Sequence, residues 1–549
     1  MNTTIVKRLF LALVAMLLIT ACTGGPHSVQ PIEGLPEGSN DYAWWSNSVF
    51  YEIFVRSFYD SNGDGIGDLN GLIDKLDYLN DGDPKTTTDL GVTGIWLMPI
   101  HPAPSYHGYD VTDYYAVNPE YGTAEDFKRL MDEAHQRGIR VIIDLVLNHT
   151  SSEHPWFQEA QDPNSPRRDW YVWSPTDPGT PGPLGGYPWY STPNGYYYAI
   201  FWVGMPDLNY ANPEVTAEMD NVAKFWLEDM DVDGFRLDAA RYLVEEGEVL
   251  ADSPANHSWF ENFRLAYKDI NPQAMTVGEV WSYNSSIKDY IQGDELDLVF
   301  NFELASQITD KVNGTTATQL QEVIKSTVSI FKPGAYATFL TNHDQNRVMN
   351  VVRGKVERAK LAATILLTLP GTPFLYYGEE IGMTGQKPDE QIRTPMQWSA
   401  ANSAGFSTTT PWEPPNDDYV EKNVALQDGD PESLLSLYRT FIQLRDNHIA
   451  LRVGDYVPVE SDNNSMLAFL RVHEDEVVLV LINMSREPVT SLSLSLAEGP
   501  LSGKYAANML HGAGEPGSLQ VNSAGGFDVY PLGVEIPANG SLVIQLSER

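Results

Sequence analysis

At 549 residues, with 42% hydrophobic, 20% charged and 11% aromatic residues (13 Trp and 28 Tyr among them), the chain is too long for one ordinary compact domain. Its composition is globular, which excludes a largely disordered protein. The 74 acidic against 35 basic residues leave a net charge of -39, a field that repels phosphate backbones and anionic lipid headgroups, so nucleic acid is excluded as a partner and the charge is read as solvation of a large surface.

Lys7 and Arg8 precede an unbroken run of apolar and small residues from Leu9 to Ala21. The run is too short for a mature membrane span and reads as an export signal over residues 1–21. It ends in Ile19-Thr20-Ala21-Cys22, and Cys22 is the only cysteine, so no disulfide can form within the chain. This ending resembles the lipobox of bacterial lipoproteins. The resemblance implies lipidation of Cys22, a cell-surface location and no membrane contact other than that anchor. Residues 22–40 are rich in Gly, Pro and polar residues with no apolar period, and read as a linker.

From residue 41 short β-rich runs alternate with helical segments, the signature of βα units and a parallel sheet. Eight runs are strand candidates: 48–58, 91–100, 139–148, 232–240, 274–281, 296–304, 336–344 and 373–382. Eight is the number for a closed (β/α)8 TIM barrel, here expected over 41–148 and 209–453. One unit shows the logic. Thr123 caps a helix with Asp126 in its first turn, Phe127, Leu130, Met131 and Ala134 share a face, and Gly138 ends it. The next helix begins at Asn212-Pro213 and carries Met219, Val222, Ala223 and Trp226 on one stripe. Between 149 and 208 the alternation stops in a Pro/Gly-rich, aromatic-dense stretch, read as an inserted domain after the third strand. From 454 to 549 short alternating segments such as MLAFLRV and VVLVLI predict a C-terminal antiparallel β domain.

Cleaving a glycosidic bond needs one carboxylate that stays ionised and one carboxylic acid that keeps its proton. In FRLDAA, Arg236 and Asp238 are two apart on a strand and share a face near its C-terminal end, where barrel enzymes place catalysis. A guanidinium there is expected to lower the pKa of Asp238. Glu279 ends the following strand, and crowding by Asp238 and by Asp344 from the seventh strand is expected to keep it protonated. Any one of these carboxylates alone would read as a solvated loop acid; three at strand ends would not.

From Ser48 onward the chain resembles the α-amylase family, glycoside hydrolase family 13, with that family's segments in order: GVTGIWLMPI, DLVLNHT (144–150), MPDLN (205–209), GFRLDAA (234–240), GEVW (278–281), TNHD (341–344) and GTPFLYYGEE (371–380). MPDLN lies between the oligo-1,6-glucosidase and neopullulanase forms, and RTPMQW (393–398) is similar to the former. The resemblance implies a retaining mechanism with Asp238 as nucleophile, Glu279 as general acid/base and Asp344 gripping the distorted sugar. It also implies that Arg236 orients Asp238 and Asp144 braces Arg236. Tyr109 would stack on the sugar, and His149 and His343 would bond its hydroxyls, with His107 and Arg241 completing the substrate contacts; a purely structural role for the histidines stays open. The aromatics of the insertion are shared between packing and sugar stacking.

DSNGDGIGD places Asp60, Asn62, Asp64, the Ile66 carbonyl and Asp68 at calcium-loop spacing, but its twelfth position is Gly71 instead of Glu. That departure fits the calcium loop after the first barrel strand of oligo-1,6-glucosidase-like members; an ion-free Asp/Asn/Gly turn is the alternative. A second family calcium site would use Asn148 and Asp207, with Tyr242 where many amylases have His. Altogether the resemblance implies a monomeric endo-acting α-1,4-glucan hydrolase that takes starch and maltooligosaccharides and binds Ca2+. Ala239 looks like the α-1,4-specific members. Tyr106-His107-Gly108-Tyr109 lacks the Asp that closes exo-acting α-glucosidase pockets. The alternatives are an exo-acting α-glucosidase, an oligo-1,6-glucosidase or a cyclomaltodextrinase-like enzyme and, from another class, a non-catalytic glucan-binding lipoprotein, against which the intact carboxylate trio argues.

Overall fold

The computed structural model describes residues 42–292 and 294–549. The expected export signal, Cys22 and the linker to residue 40 lie outside the described residues. At the centre are β1 (Phe50–Ile53), β2 (Gly94–Leu97), β3 (Arg140–Leu145), β4 (Gly234–Leu237), β5 (Met275–Gly278), β6 (Leu298–Val299), β7 (Ala337–Thr338) and β8 (Thr372–Tyr376). They form one eight-stranded sheet in the order β7–β8–β1–β2–β3–β4–β5–β6, every pair parallel. A parallel bridge between Phe300, just past β6, and Ala337 in β7 joins the two edges, so the sheet is a (β/α)8 barrel.

Strand periodicity of two divides the barrel interior into a packed end and a polar end. Phe50, Ile142, Met275 and Phe374 belong to an aromatic-rich plug in which Phe50 and Phe374 stack at 4.4 Å. Two residues further along the same strand faces stand Glu52, Asp144 and Val277, and Arg236 faces Asp144 in register. Gly234 lets β4 lie close to β5, since a Cβ there would meet the Met275 carbonyl at 2.1 Å.

Two expected strands are shorter than the sequence suggests. Asn301 accepts a hydrogen bond from Leu304 N at 2.9 Å and so caps a helix over Phe302–Lys311, which takes the end of the 296–304 run out of the sheet. In 336–344 only Ala337–Thr338 is regular strand; beyond it Asp344 N donates to Asn342 Oδ1, and the chain turns at the barrel mouth.

Outside the barrel, α1 (Ala124–Gln136) has the reciprocal Thr123–Asp126 capping box and ends at Gly138, whose φ is +73°. Asn212 caps α2 (Pro213–Lys224), which runs on as a π turn over Phe225–Asp229. There the buried Trp226 donates its indole N–H to the Tyr114 carbonyl at 2.8 Å. Between β3 and α2 lies a small antiparallel sheet of Trp173–Ser174, Gly195–Tyr198 and Trp189–Thr192. Isolated pairs His149–Asp207 and Tyr171–Leu208 bind this segment back to the barrel. Toward the C-terminus a six-stranded and a three-stranded antiparallel sheet enclose a second apolar core around Leu479, Leu494 and Ile544. Arg471 from that region donates to the Thr368 carbonyl, at the end of the helix before β8, and to the Gly454 carbonyl, which ends the helix Ile449–Val453, so helix-end acceptors at both places are paired. Among the described residues no helix is long and apolar enough to cross a membrane.

Candidate active site

At the polar end of the barrel everything converges on Arg236, which is 1% exposed. Its Nη1 donates to both carboxylate oxygens of Asp144, at 2.8 and 2.9 Å, and to Asp238 Oδ1 at 2.8 Å. Its Nη2 donates to Glu279 Oε2. One cation thus joins a carboxylate of β3 to two that stand just past β4 and β5. The Tyr109 hydroxyl donates to Asp144 Oδ2 at 3.0 Å and lies 2.7 Å from His343 Nε2, and the two rings stack at 5.7 Å. His343 is fully buried between Glu52, whose Oε1 is 2.5 Å from Nδ1, and Asp344, whose Oδ2 is 3.2 Å from Nε2. Arg393 completes the ring, donating to Asp344 Oδ1 at 2.8 Å and to Asp389 Oδ2 at 3.3 Å.

This network sorts the acids. Burial pushes Asp238 up to about 6 despite Arg236, with Asp144 and Asp344 adding to the rise. The guanidinium does lower Asp238, as expected from its place two residues away, but the net shift is upward because loss of hydration outweighs the ion pair. Burial also raises Glu279, to about 7; Arg236 opposes that rise while the Asp238 and Asp344 charges reinforce it. Asp344 goes the other way: burial pushes it up, but His343, Arg393 and Arg236 together hold it well below the ordinary range. Burial alone would lower His343, yet Asp344 and Glu52 raise it to about 9, so the imidazole is a cation at neutral pH. His149 is pushed down to about 3 by burial and is neutral.

These groups open onto a cleft of about 550 Å³. Asp238, Glu279 and Asp344 line it together with His107, Tyr109, His149 and Arg241, while of the residues expected for catalysis and substrate contact the buried Asp144, Arg236 and His343 stand behind its surface. Arg241 is held by Asp252 through Nε at 3.0 and 3.1 Å and donates to the Trp281 carbonyl at 3.0 Å. Phe201, Trp202, Met205 and Trp281 form the apolar walls. Ala239, next to Asp238, has φ +50°, a left-handed conformation that costs energy for a residue bearing a Cβ. Sequence reasoning missed Glu52, Asp389 and Arg393. Glu52 could have been found from its inward position two residues after Phe50, and Arg393 opens the RTPMQW run.

The 60–68 loop carries oxygen donors of the kind a hard cation takes, but the carboxylate oxygens of Asp60, Asp64 and Asp68 do not all lie within 4.8 Å of one another, and Asp60 Oδ2 accepts from Gly65 N–H and Ser407 Oγ. Asp60 Oδ1 accepts from Asn62 and Gly63 N–H, Asn62 Oδ1 from Asp64 N–H, and Asp64 Oδ1 from Ile66 N–H, turns that present side-chain oxygens at alternate positions. Carboxylate oxygens have further lone pairs beyond those hydrogen bonds, and an all-oxygen donor set is what Ca2+ takes. Asp68, however, also accepts from Ser61 and from Gly71 N–H, where it caps the helix Leu69–Asp74.

Near the insertion, Asn148 and Asp207 meet Glu245 and Tyr198. No well-formed hydrogen bond reaches Asn148 Oδ1, Asp207 Oδ2 or Glu245 Oε1, all buried, although the Asn148 amide lies beside Asp207 and the Tyr198 hydroxyl beside Glu245. Burial and the Glu245 charge push Asp207 well above the carboxylate range, and burial lifts Glu245 to about 7. Orphaned oxygens of this kind also fit a cation. Glu245 was not singled out in the sequence.

A family model described as alpha amylase, catalytic domain, matches residues 52–454, and one described as maltogenic amylase, C-terminal domain, matches 456–516. The chain is 44% identical over 450 residues to Alpha-amylase 3 of Dictyoglomus thermophilum, covering 81% of this chain and 86% of that protein. It is 35% identical over 522 residues to trehalose synthase/amylase TreS of Mycolicibacterium smegmatis, covering 83% and 86%. The crystal structure of the α-amylase from H. orenii superimposes with a TM-score of 0.79 at 42% identity, over 91% of this chain and 99% of that one.

The buried imidazolium carries a pH signature. Folding raises the His343 pKa from about 6.5 to about 9, so the stabilisation is whole below pH ~6.5 and is lost as pH rises through about 9. The gap in unfolding free energy between the native chain and His343→Gln should therefore narrow by about 3 kcal/mol between pH ~6 and pH ~10. A gap independent of pH, measured by denaturant titration, would mean that His343 is neutral in the fold.

Proposed function

Since the chain belongs to the α-amylase family of α-glucan hydrolases, we propose that it cleaves α-1,4 bonds within starch and maltooligosaccharide chains with retention of configuration. The observation that carries this reading is the convergence of Asp238, Glu279 and Asp344 on one cleft around Arg236 and Arg393, where burial raises Glu279 and the surrounding cations keep Asp344 ionised. Near neutral pH the protonated Glu279 gives its proton to the glycosidic oxygen as that bond breaks, and the Asp238 carboxylate attacks the anomeric carbon to form a glycosyl ester. Glu279, now an anion, takes a proton from water as the water displaces Asp238, which restores both groups. Asp344, fixed by His343 and Arg393, accepts hydrogen bonds from the hydroxyls of the sugar being cleaved. Tyr109 offers its ring face to that sugar, and His107, His149 and Arg241 bond its neighbours from the cleft wall.

The residue at position 106 supports an internal cut: where exo-acting relatives would carry a blocking Asp the chain has Tyr106, whose ring lies on Trp412, with centroids 5.2 Å apart and planes at 25°, and packs edge-on to Phe54. Asp389 and Arg393, which line the cleft beside Asp344, favour the second reading: they could grip a terminal sugar in an exo-acting α-glucosidase. We further propose export with a lipid anchor at Cys22, on the strength of the N-terminal sequence, and a monomer in solution. Calcium would be held by Asp60, Asn62, Asp64, the Ile66 carbonyl and Asp68, and a second ion by Asn148, Asp207 and Glu245. The ions would brace the loop after β1 and the junction of barrel and insertion.

A time course on soluble starch distinguishes the readings. An internal cut abolishes iodine staining while few reducing ends have formed and yields maltose and maltotriose; glucose as the sole early product, or trehalose from maltose, would overturn it. Glu279→Gln should lower the rate by ~10²–10⁴-fold in a protein that still folds. Chelation of calcium should lower the thermal midpoint proportionately more than it lowers the rate measured at 25 °C, because the ions bind the native state alone and touch no reacting atom. An unmoved midpoint would favour ion-free turns at both places.

A further inference from the structure

Beside the cleft lies a second cavity of about 390 Å³. Thr180, Pro181 and Trp189 of the segment between β3 and β4 form one wall, and Glu245, Glu248 and Leu250 of the loop after β4 form the other. Both segments also reach the cleft, the first through Leu184 and the second through Tyr242. The two cavities therefore share their walls but not their lining residues.

The lining has a definite chemistry. Trp189 is half-buried, and its orientation is fixed: the indole N–H donates to Thr180 Oγ1 at 3.2 Å, and the ring leans on Tyr198 with centroids 5.0 Å apart. Tyr198 lines the same cavity; its buried hydroxyl, beside Glu245, has no well-formed hydrogen bond. Glu248 is exposed in a tight turn that the paired Glu246 and Val249 close. The volume falls in the range of small-ligand pockets, about 300–1,000 Å³. A flat aromatic surface suits the C–H face of a pyranose, and carboxylates and hydroxyls suit its O–H groups. A wholly apolar ligand would strip water from Glu248 without replacing it, and an anionic sugar would meet that carboxylate and no basic residue in the lining.

We propose that this cavity is an auxiliary subsite for a short neutral stretch of α-linked glucose, distinct from the catalytic cleft. The proposal rests on the reading of the chain as an α-glucan hydrolase. A polymer held there is kept at a high local concentration next to the cleft, an advantage that a substrate too short to reach both places does not gain.

The test uses the full chain with Glu279→Gln, titrated calorimetrically with maltotetraose in calcium-containing buffer. Two sites per chain are expected. Trp189→Ala and, as a milder change at an exposed position, Glu248→Gln should each weaken one site by about fivefold or more and leave the other unchanged. In the active enzyme Trp189→Ala should raise KM for soluble starch about threefold or more while kcat/KM for maltotriose stays the same. A single site in the Glu279→Gln chain, or two sites indifferent to both substitutions, would overturn the subsite while leaving starch hydrolysis by the native enzyme intact. Failure of the native enzyme to hydrolyse any α-glucan would instead overturn the functional reading, and the subsite with it.

Discussion

The buried guanidinium of Arg236 is the constraint on which the site depends. Asp144, Asp238 and Glu279 all bond to it, and removing any of these acids from water without a counter-charge would cost several kcal/mol. The local balance remains negative even so. Six carboxyls, those of Glu52, Asp144, Asp238, Glu279, Asp344 and Asp389, face three cations, Arg236, His343 and Arg393. A low-dielectric site with surplus carboxylates keeps a proton on the one least able to ionise, and burial with two neighbouring charges makes that Glu279. Asp344 sits at the opposite extreme because both of the other cations touch it.

The barrel supplies this arrangement cheaply. Each strand offers alternate residues to the interior, so one strand can fill the closed end with Phe50 or Ile142 and place Glu52 or Asp144 at the open end two residues later. The apolar plug gives rigidity, and Glu52 and Asp144 need no loop to position them. Loops do the rest: the turn after β7 delivers Asp344, and the segment after β8 delivers Asp389 and Arg393. One left-handed residue, Ala239, stands directly beside Asp238.

Much of this was legible in the residues themselves. The alternation of β-rich runs with helical segments located all eight barrel strands, and the Thr123 and Asn212 caps located two of the helices. Strand ends were less legible, because Asn301 capping a helix and Asn342 closing a turn are local hydrogen bonds that compete with the sheet, and an apolar run does not record which wins. Arg236 beside Asp238 could be read from a spacing of two, but the direction of the Asp238 shift could not, since it depends on how much water the folded barrel excludes. Glu52 and Glu245 escaped notice for a related reason: each is an ordinary acid in sequence, and only the packing of distant segments brings it to His343 or Tyr198; Asp389 pairs locally with Arg393, but only the fold brings that pair to Asp344. The second cavity likewise exists only where the insertion meets the loop after β4.

The central claim is that the environment of Arg236 makes Asp238 the nucleophile, and trapping tests it most directly. A 5-fluoro-α-glucosyl fluoride slows breakdown of the ester more than its formation, so incubation followed by peptide mass spectrometry should find one hexosyl adduct, on Asp238, and none in the Asp238→Asn chain. An adduct on Asp344 or Glu279, or turnover of an α-glucan by the Asp238→Asn chain at the native rate, would contradict the account.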